Sequence, residues 1–84
     1  MNSTEIKNRD QKYVLGNYAR NDLCITEGSG ATCKTPEGKQ YIDFSSGIGV
    51  NSLGYSDPGW VDAVTAQLKK VQHTSNLFYT EPCG

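Results

Sequence analysis

Apolar residues recur at helical spacing in one stretch of this chain, where Trp60, Val61, Val64, Leu68 and Val71 form a single stripe and Asp62, Gln67 and Lys69 fall mostly off it. The start of that helix is written in Asp57, a good N-cap, and Pro58, whose missing N–H costs nothing at the first helical position. Lys69 and Lys70 suit the negative end of the helix dipole. The pattern predicts an amphipathic helix over 57–72. Upstream the period shortens. The runs "DLCIT", "ATCK" and "QYIDF" are brief and β-prone, separated by "EGSG" and "TPEGK", and predict a three-stranded antiparallel meander over 23–44. In the second connection Pro36 presets φ for a turn and Gly38 can take the positive φ that leads back into a strand. With Glu27–Gly30 as the first connection, Thr26 faces Ala31 and Cys24 falls opposite Cys33, as two packed thiols rather than a bond.

The ends carry weaker patterns. Residues 1–22 form an N-terminal arm in which Ser3 or Thr4 can cap a short helix favoured by Glu5, although Ile6, Tyr13 and Val14 make a poor apolar face. Residues 73–84 are polar and aromatic without period until Thr80-Glu81-Pro82 again spells a cap, an acidic first turn and an early proline. A helix announced there and not continued is expected of an N-terminal piece of a longer protein. Short strands followed by a helix define an α+β class.

Between meander and helix, "DFSSGIGVNSLGYSDP" concentrates small residues, with 45–56 as its centre. A dinucleotide fingerprint needs glycines at its first, third and sixth positions; Gly47 and Gly49 supply two, but Ser52 stands at the sixth. No Gly-Lys-Ser/Thr follows, which removes the phosphate loop of nucleotide triphosphatases as well. Small residues here instead allow a tight turn or a close approach of something bulky.

Composition narrows the partners. The chain has 84 residues, 36% of them hydrophobic, nine glycines and a mean hydropathy of −0.57, so a core built from it alone is thin. Net charge is −1 and the lysines are scattered, which argues against nucleic acid. No apolar stretch has the length of a membrane span and the N-terminus has no apolar signal region, so a cytoplasmic protein without a membrane partner is expected. Three cysteines without a C-x-x-C pair, and a single histidine, His73, predict free thiols and no metal site.

Taken in order, "NYAR", "GSGATCKTPEGKQYIDFSSGIGVNSLGYSDP" and "HTSNLFYTEP" resemble the N-terminal part of class III, pyridoxal-phosphate-dependent aminotransferases. The tract from Gly28 to Pro58 carries the most specific part of the likeness, which is nearest to the branch acting on N-acetylornithine. The resemblance implies an aspartate-aminotransferase-like, fold type I architecture when complete. It implies a homodimer, pyridoxal 5′-phosphate (PLP) as cofactor and electron sink, and transfer of the amino group to 2-oxoglutarate by a ping-pong route. Other class III substrates, ornithine, 4-aminobutyrate or a succinylated diamine, stay open.

Residue by residue, the likeness places Tyr18 against the substrate, Gly47 and Ile48 in the substrate-side wall, and Asn76 across a dimer interface near the neighbouring active site. It places the Schiff-base lysine, the partner of the pyridinium nitrogen and the phosphate cradle beyond this chain, so no catalytic or cofactor-binding residue is expected within it. The sequence departs from the family at Tyr55, where a histidine is usual. A different class of reading, a small binding or oligomerisation module whose glycines merely turn the chain, is disfavoured by the thin core.

Overall fold

Two turns set the sheet, each through local backbone chemistry. The computed structural model describes residues 1–83. Strands β1 (Glu27–Ser29), β2 (Thr32–Lys34) and β3 (Gln40–Ile42) pair antiparallel in the order β1-β2-β3. Between β2 and β3, the Gly38 N–H donates to Thr35 O at 2.9 Å, Pro36 occupies the first central position, and Gly38 takes a φ of 86°. The Lys39 N–H adds a bond to Thr35 Oγ1 at 3.1 Å. This is the expected hairpin.

The first strand departs from expectation. It lies on "EGS" rather than on "DLCIT", so Gly28, not Cys24, stands opposite Cys33, with Tyr41 on the far side of Cys33. The connection shrinks to Gly30 and Ala31, with Gly30 at a φ of 58°, the position at which two-residue hairpin loops favour glycine. Two packed thiols therefore do not occur here, because Cys24 lies outside the ladder and its Sγ approaches Ser3 O at 3.6 Å. All three cysteines are free.

Helix α1 (Ser3–Tyr13) begins one residue earlier than the arm's sequence suggested. Asn2 is the N-cap: its Oδ1 accepts the Glu5 N–H at 2.9 Å, while Glu5 Oε2 accepts the Asn2 N–H at 3.1 Å. Ser3 is thereby released to bind the hairpin, giving its N–H and its hydroxyl to the Glu37 carboxylate at 2.8 and 2.5 Å. A carboxylate at a helix N-terminus is favoured by the dipole, and the Ser3 hydroxyl and amide hold Glu37 below its usual range. Ion pairs Lys7–Asp22 and Arg20–Asp10 fold residues 14–26 back along the helix.

After β3 comes a single turn, α2 (Ser46–Gly49), and then α3 (Pro58–Leu68). Asp57 caps α3 through its Oδ2, which accepts the Trp60 N–H at 3.0 Å. The helix stops at Leu68, short of the expected 72, because the Lys70 N–H turns back to Gln67 O and the Gln67 amide side chain closes on Val71 O at 2.8 Å. A short 3-10 turn, Glu81–Cys83, follows, and Gly84 lies outside the described residues.

Very little of this is core. Cys33 is 3% exposed and Thr35 8%, whereas Trp60 on α3 is 58% exposed. The accessible surface is 7484 Å², against about 4,900 Å² for a folded monomer of this mass. The radius of gyration is 16.8 Å, where a compact chain of this length has about 12 Å. The stripe on α3 is apolar as its period requires, yet among the described residues no other element packs across it.

Candidate functional site

The small-residue segment does two things that larger residues would prevent. At its far end Tyr55 forms a backbone bridge to Gly30: the Gly30 N–H donates to Tyr55 O at 3.0 Å and the Tyr55 N–H to Gly30 O at 2.8 Å. The Ser56 hydroxyl adds a bond to Gly28 O at 3.0 Å. Two glycines permit the crossing. A Cβ on Gly54 would stand 2.7 Å from Gly30 O, and one on Gly28 would stand 2.5 Å from Cγ of Tyr55. The chain thus returns to the first hairpin and closes the loop that leaves β3.

At its near end the backbone turns left-handed. Ser46, Gly47, Ile48 and Gly49 have φ values of 53°, 61°, 61° and 75° in succession, and ψ is 40° at Gly47 and 50° at Ile48. The Gly49 N–H reaches Ser45 O at 3.0 Å, and the Val50 and Asn51 amides both reach Ser46 O. This is one turn of left-handed α-helix. An L-residue in that conformation costs about 1–2 kcal/mol, borne by Ser46 and by β-branched Ile48, while the two glycines escape it. Ile48 is 96% exposed, so burial of its own side chain within the chain does not offset the strain.

Asp43 holds the entry to that turn. Its Oδ1 accepts the Ser45 N–H at 2.8 Å, the Ser45 hydroxyl at 2.9 Å and the Ser46 N–H at 3.0 Å. The Tyr55 phenol acts on the same carboxylate. That phenol first, then the Ser46 and Ser45 donors, hold the Asp43 carboxyl down at about 2. Contact with Asp43, together with burial and the carboxylate's charge, pushes Tyr55 up to about 12. Aspartate and tyrosine are therefore charged and neutral, respectively, across the whole physiological range. An open hollow of ≈ 340 Å³ lies here, lined by Gly30, Asp43, Ser46, Asn51 and Leu53 among others.

The residues singled out in the sequence do not gather at one point. Gly47 and Ile48 are neighbours on α2. Tyr18, 76% exposed, lines a separate groove between α1 and the segment 14–26. Asn76 lines a third hollow after α3, with Phe78 and Thr80. Asp43 and Tyr55 escaped the sequence reading as functional residues. The Asp-Phe-Ser order was the available signal for Asp43, because an aspartate readily accepts the N–H two residues on; nothing local pointed Tyr55 at it.

These residues do not fit a PLP site. The amides of Ser45, Ser46, Gly49, Val50 and Asn51 are committed to partners within the segment, and the Asp43 carboxylate stands against it. A phosphate there meets mostly committed amides and a like charge. No lysine lines the hollow; Lys7 is paired with Asp22, and Lys12 and Lys39 lie 5.2 Å from the ring centres of Tyr13 and Tyr41. Among the described residues no cluster of histidine, cysteine or carboxylate side chains is arranged to hold a metal, and no helix is long and apolar enough to cross a membrane.

The glycine-permitted crossing and the strained small-residue turn both lie within the tract from Gly28 to Pro58 that carried the most specific sequence likeness. The family described as "Aminotransferase class-III" matches residues 15–84, and the chain belongs to it. Within that family it is similar to the acetylornithine aminotransferase of Haemophilus ducreyi, 54% identical over 82 residues that make up 98% of this chain and 21% of the relative. The fold is shared with the crystal structure of acetylornithine aminotransferase from Elizabethkingia anophelis, with a TM-score of 0.90 and 31% identity over 96% of this chain and 21% of the other. It is also shared with an ornithine aminotransferase from Toxoplasma gondii, described with partial occupancy of PLP at its active site, at a TM-score of 0.86 and 28% identity over 94% of this chain and 18% of the other. The chain spans about a fifth of the length of the relatives it matches.

Proposed function

We propose that these 84 residues form part of the substrate-side wall of a PLP-dependent aminotransferase, with PLP held by residues outside them. The amino donor is N-acetylornithine, the acceptor 2-oxoglutarate, and the pathway arginine biosynthesis in the cytoplasm. The observation that carries this reading is the 54% identity, across nearly the whole chain, to a relative named for acetylornithine. In the working enzyme, a homodimer, α2 (Ser46–Gly49) presents short side chains and the apolar tip of Ile48 to the donor. Tyr18 offers its ring and hydroxyl to the donor chain, and Asn76 serves the neighbouring subunit's site.

The ornithine reading is the one alternative with a specific observation behind it, the fold shared with the Toxoplasma gondii enzyme. Purified full-length protein supplied with PLP and 2-oxoglutarate separates the readings when glutamate formation is followed with N-acetylornithine, ornithine, 4-aminobutyrate and a succinylated diamine in turn. The expected result is a kcat/KM for N-acetylornithine at least tenfold above the others. A preference for ornithine moves the protein to the second reading, and no glutamate from any donor refutes transamination.

A further inference from the structure

We propose that Asp43 is a positioning residue for the amino donor, its carboxylate fixing the entry to the left-handed turn and thereby the place where Ile48 meets the substrate. The inference rests on the reading above that Gly47 and Ile48 border the donor. Asp43 lies where a regular element meets a strained one. On one side its own N–H donates to Ala31 O at 2.8 Å, tying it to the β1–β2 hairpin. On the other its Oδ1 takes the N–H groups of Ser45 and Ser46, the last two residues before the left-handed glycine.

Four consecutive left-handed residues, two of them not glycine, do not persist by preference. The Ile48 side chain touches almost nothing of its own chain. What holds the turn is therefore its own backbone bonds and the carboxylate at its entry. Charge alone does not do this work: the oxygen must sit two and three residues ahead of the amides it accepts, a reach that aspartate has and glutamate overshoots by one methylene. Asparagine keeps an oxygen at the same place and should keep the turn.

The test compares Asp43→Ala, Asp43→Glu and Asp43→Asn in the full-length enzyme, with the two half-reactions measured separately. Alanine and glutamate are expected to lower kcat/KM for the donor half-reaction at least tenfold, chiefly through KM, and the 2-oxoglutarate half less than threefold. Asparagine is expected to stay within threefold of the parent in both. Equal losses in the two halves, or a glutamate variant like the parent, would overturn the proposal.

Hydrogen exchange of peptides spanning 45–54 provides a readout independent of activity. Exchange is expected to quicken at least tenfold in Asp43→Glu and to stay near the parent rate in Asp43→Asn. Unchanged exchange in the glutamate variant refutes the positioning role even if the parent transaminates nothing, whereas an inactive parent with quickened exchange counts against the donor reading instead. If Asp43→Ala does not fold, the glutamate and asparagine pair decides alone.

Discussion

Replacing Gly54 by alanine attacks the crossing that closes the loop following β3 onto the first hairpin. The new Cβ would lie 2.7 Å from Gly30 O and 3.0 Å from its carbonyl carbon, both backbone atoms that cannot swing aside as a side chain can. Gly54 also has a φ of 77°, so alanine carries a left-handed cost of about 1–2 kcal/mol. Relief of the overlap means separating Gly54 from Gly30 and losing the two bridge bonds between Gly30 and Tyr55, worth about 0.5–1.5 kcal/mol each. Alanine's smaller unfolded-state entropy returns about 0.4–1 kcal/mol. The net weakening is about 1–4.5 kcal/mol, or exchange of the Gly30 and Tyr55 amides faster by about 5- to 2,000-fold. Peptides covering 28–31 and 53–57 report it directly by mass spectrometry. Gly16→Ala is the control, since a Cβ there meets nothing within 4 Å and should change neither peptide. Acceleration below threefold in Gly54→Ala would show that the bridge is not limited by this contact, and the account of the small residues would fail.

Tyr18→Phe in the full-length enzyme should slow the donor half-reaction by about 0.5–1.5 kcal/mol, as loss of one neutral hydrogen bond, and spare the 2-oxoglutarate half; stopped-flow traces showing equal slowing would place the hydroxyl elsewhere. Asp43, held at about 2 against an ordinary 3.8, contributes stability that is complete above pH 3.8 and is lost as pH falls through about 2. Tyr55, raised to about 12 from 10.0, contributes stability that is complete below pH 10 and lost as pH rises through about 12. Carboxyl-carbon NMR titration of Asp43 in Tyr55→Phe should therefore show a higher midpoint than in the parent, and an unmoved midpoint would remove the phenol as the main cause. Thiol titration of unfolded, unreduced protein should find three free thiols per chain, since Gly28 rather than Cys24 faces Cys33; finding one would contradict the register.

Local chemistry was legible in the sequence where it alone decides the backbone. Pro36 with Gly38 and Asp57 with Pro58 each act through a few neighbouring atoms, and both the second hairpin and the start of α3 stand where those residues put them. β1 was not legible because its residues are turn-formers. Glu27–Ser29 becomes a strand by pairing with β2, while Gly28 leaves room for the ring of Tyr55. "DLCIT" has the composition of a strand, but in the structure its residues run along α1, where ion pairs at Asp22 and Arg20 hold them. The small residues of 45–56 announced a turn or a close approach, and both occur. The left-handed sense of the turn, and the carboxylate that holds it, depend on Ile48 and Ser46 adopting a backbone that their own preferences oppose, which no residue scale shows.

The open shape has a calorimetric consequence. Starting from 7484 Å² of accessible surface, complete unfolding exposes only about 70% of the area that a compact protein of this mass would expose. The heat-capacity increment follows exposed area and so falls from the usual ~1.1 to about 0.8 kcal/mol/K for the 84 residues. A smaller increment flattens the curve of free energy against temperature, and the unfolding enthalpy shrinks with the same area, so this segment by itself would melt over a broad range rather than at a sharp one. Once the apolar stripe led by Trp60 is covered, the missing increment returns, and the sharpness of the melt becomes a direct gauge of how much of that stripe its surroundings enclose.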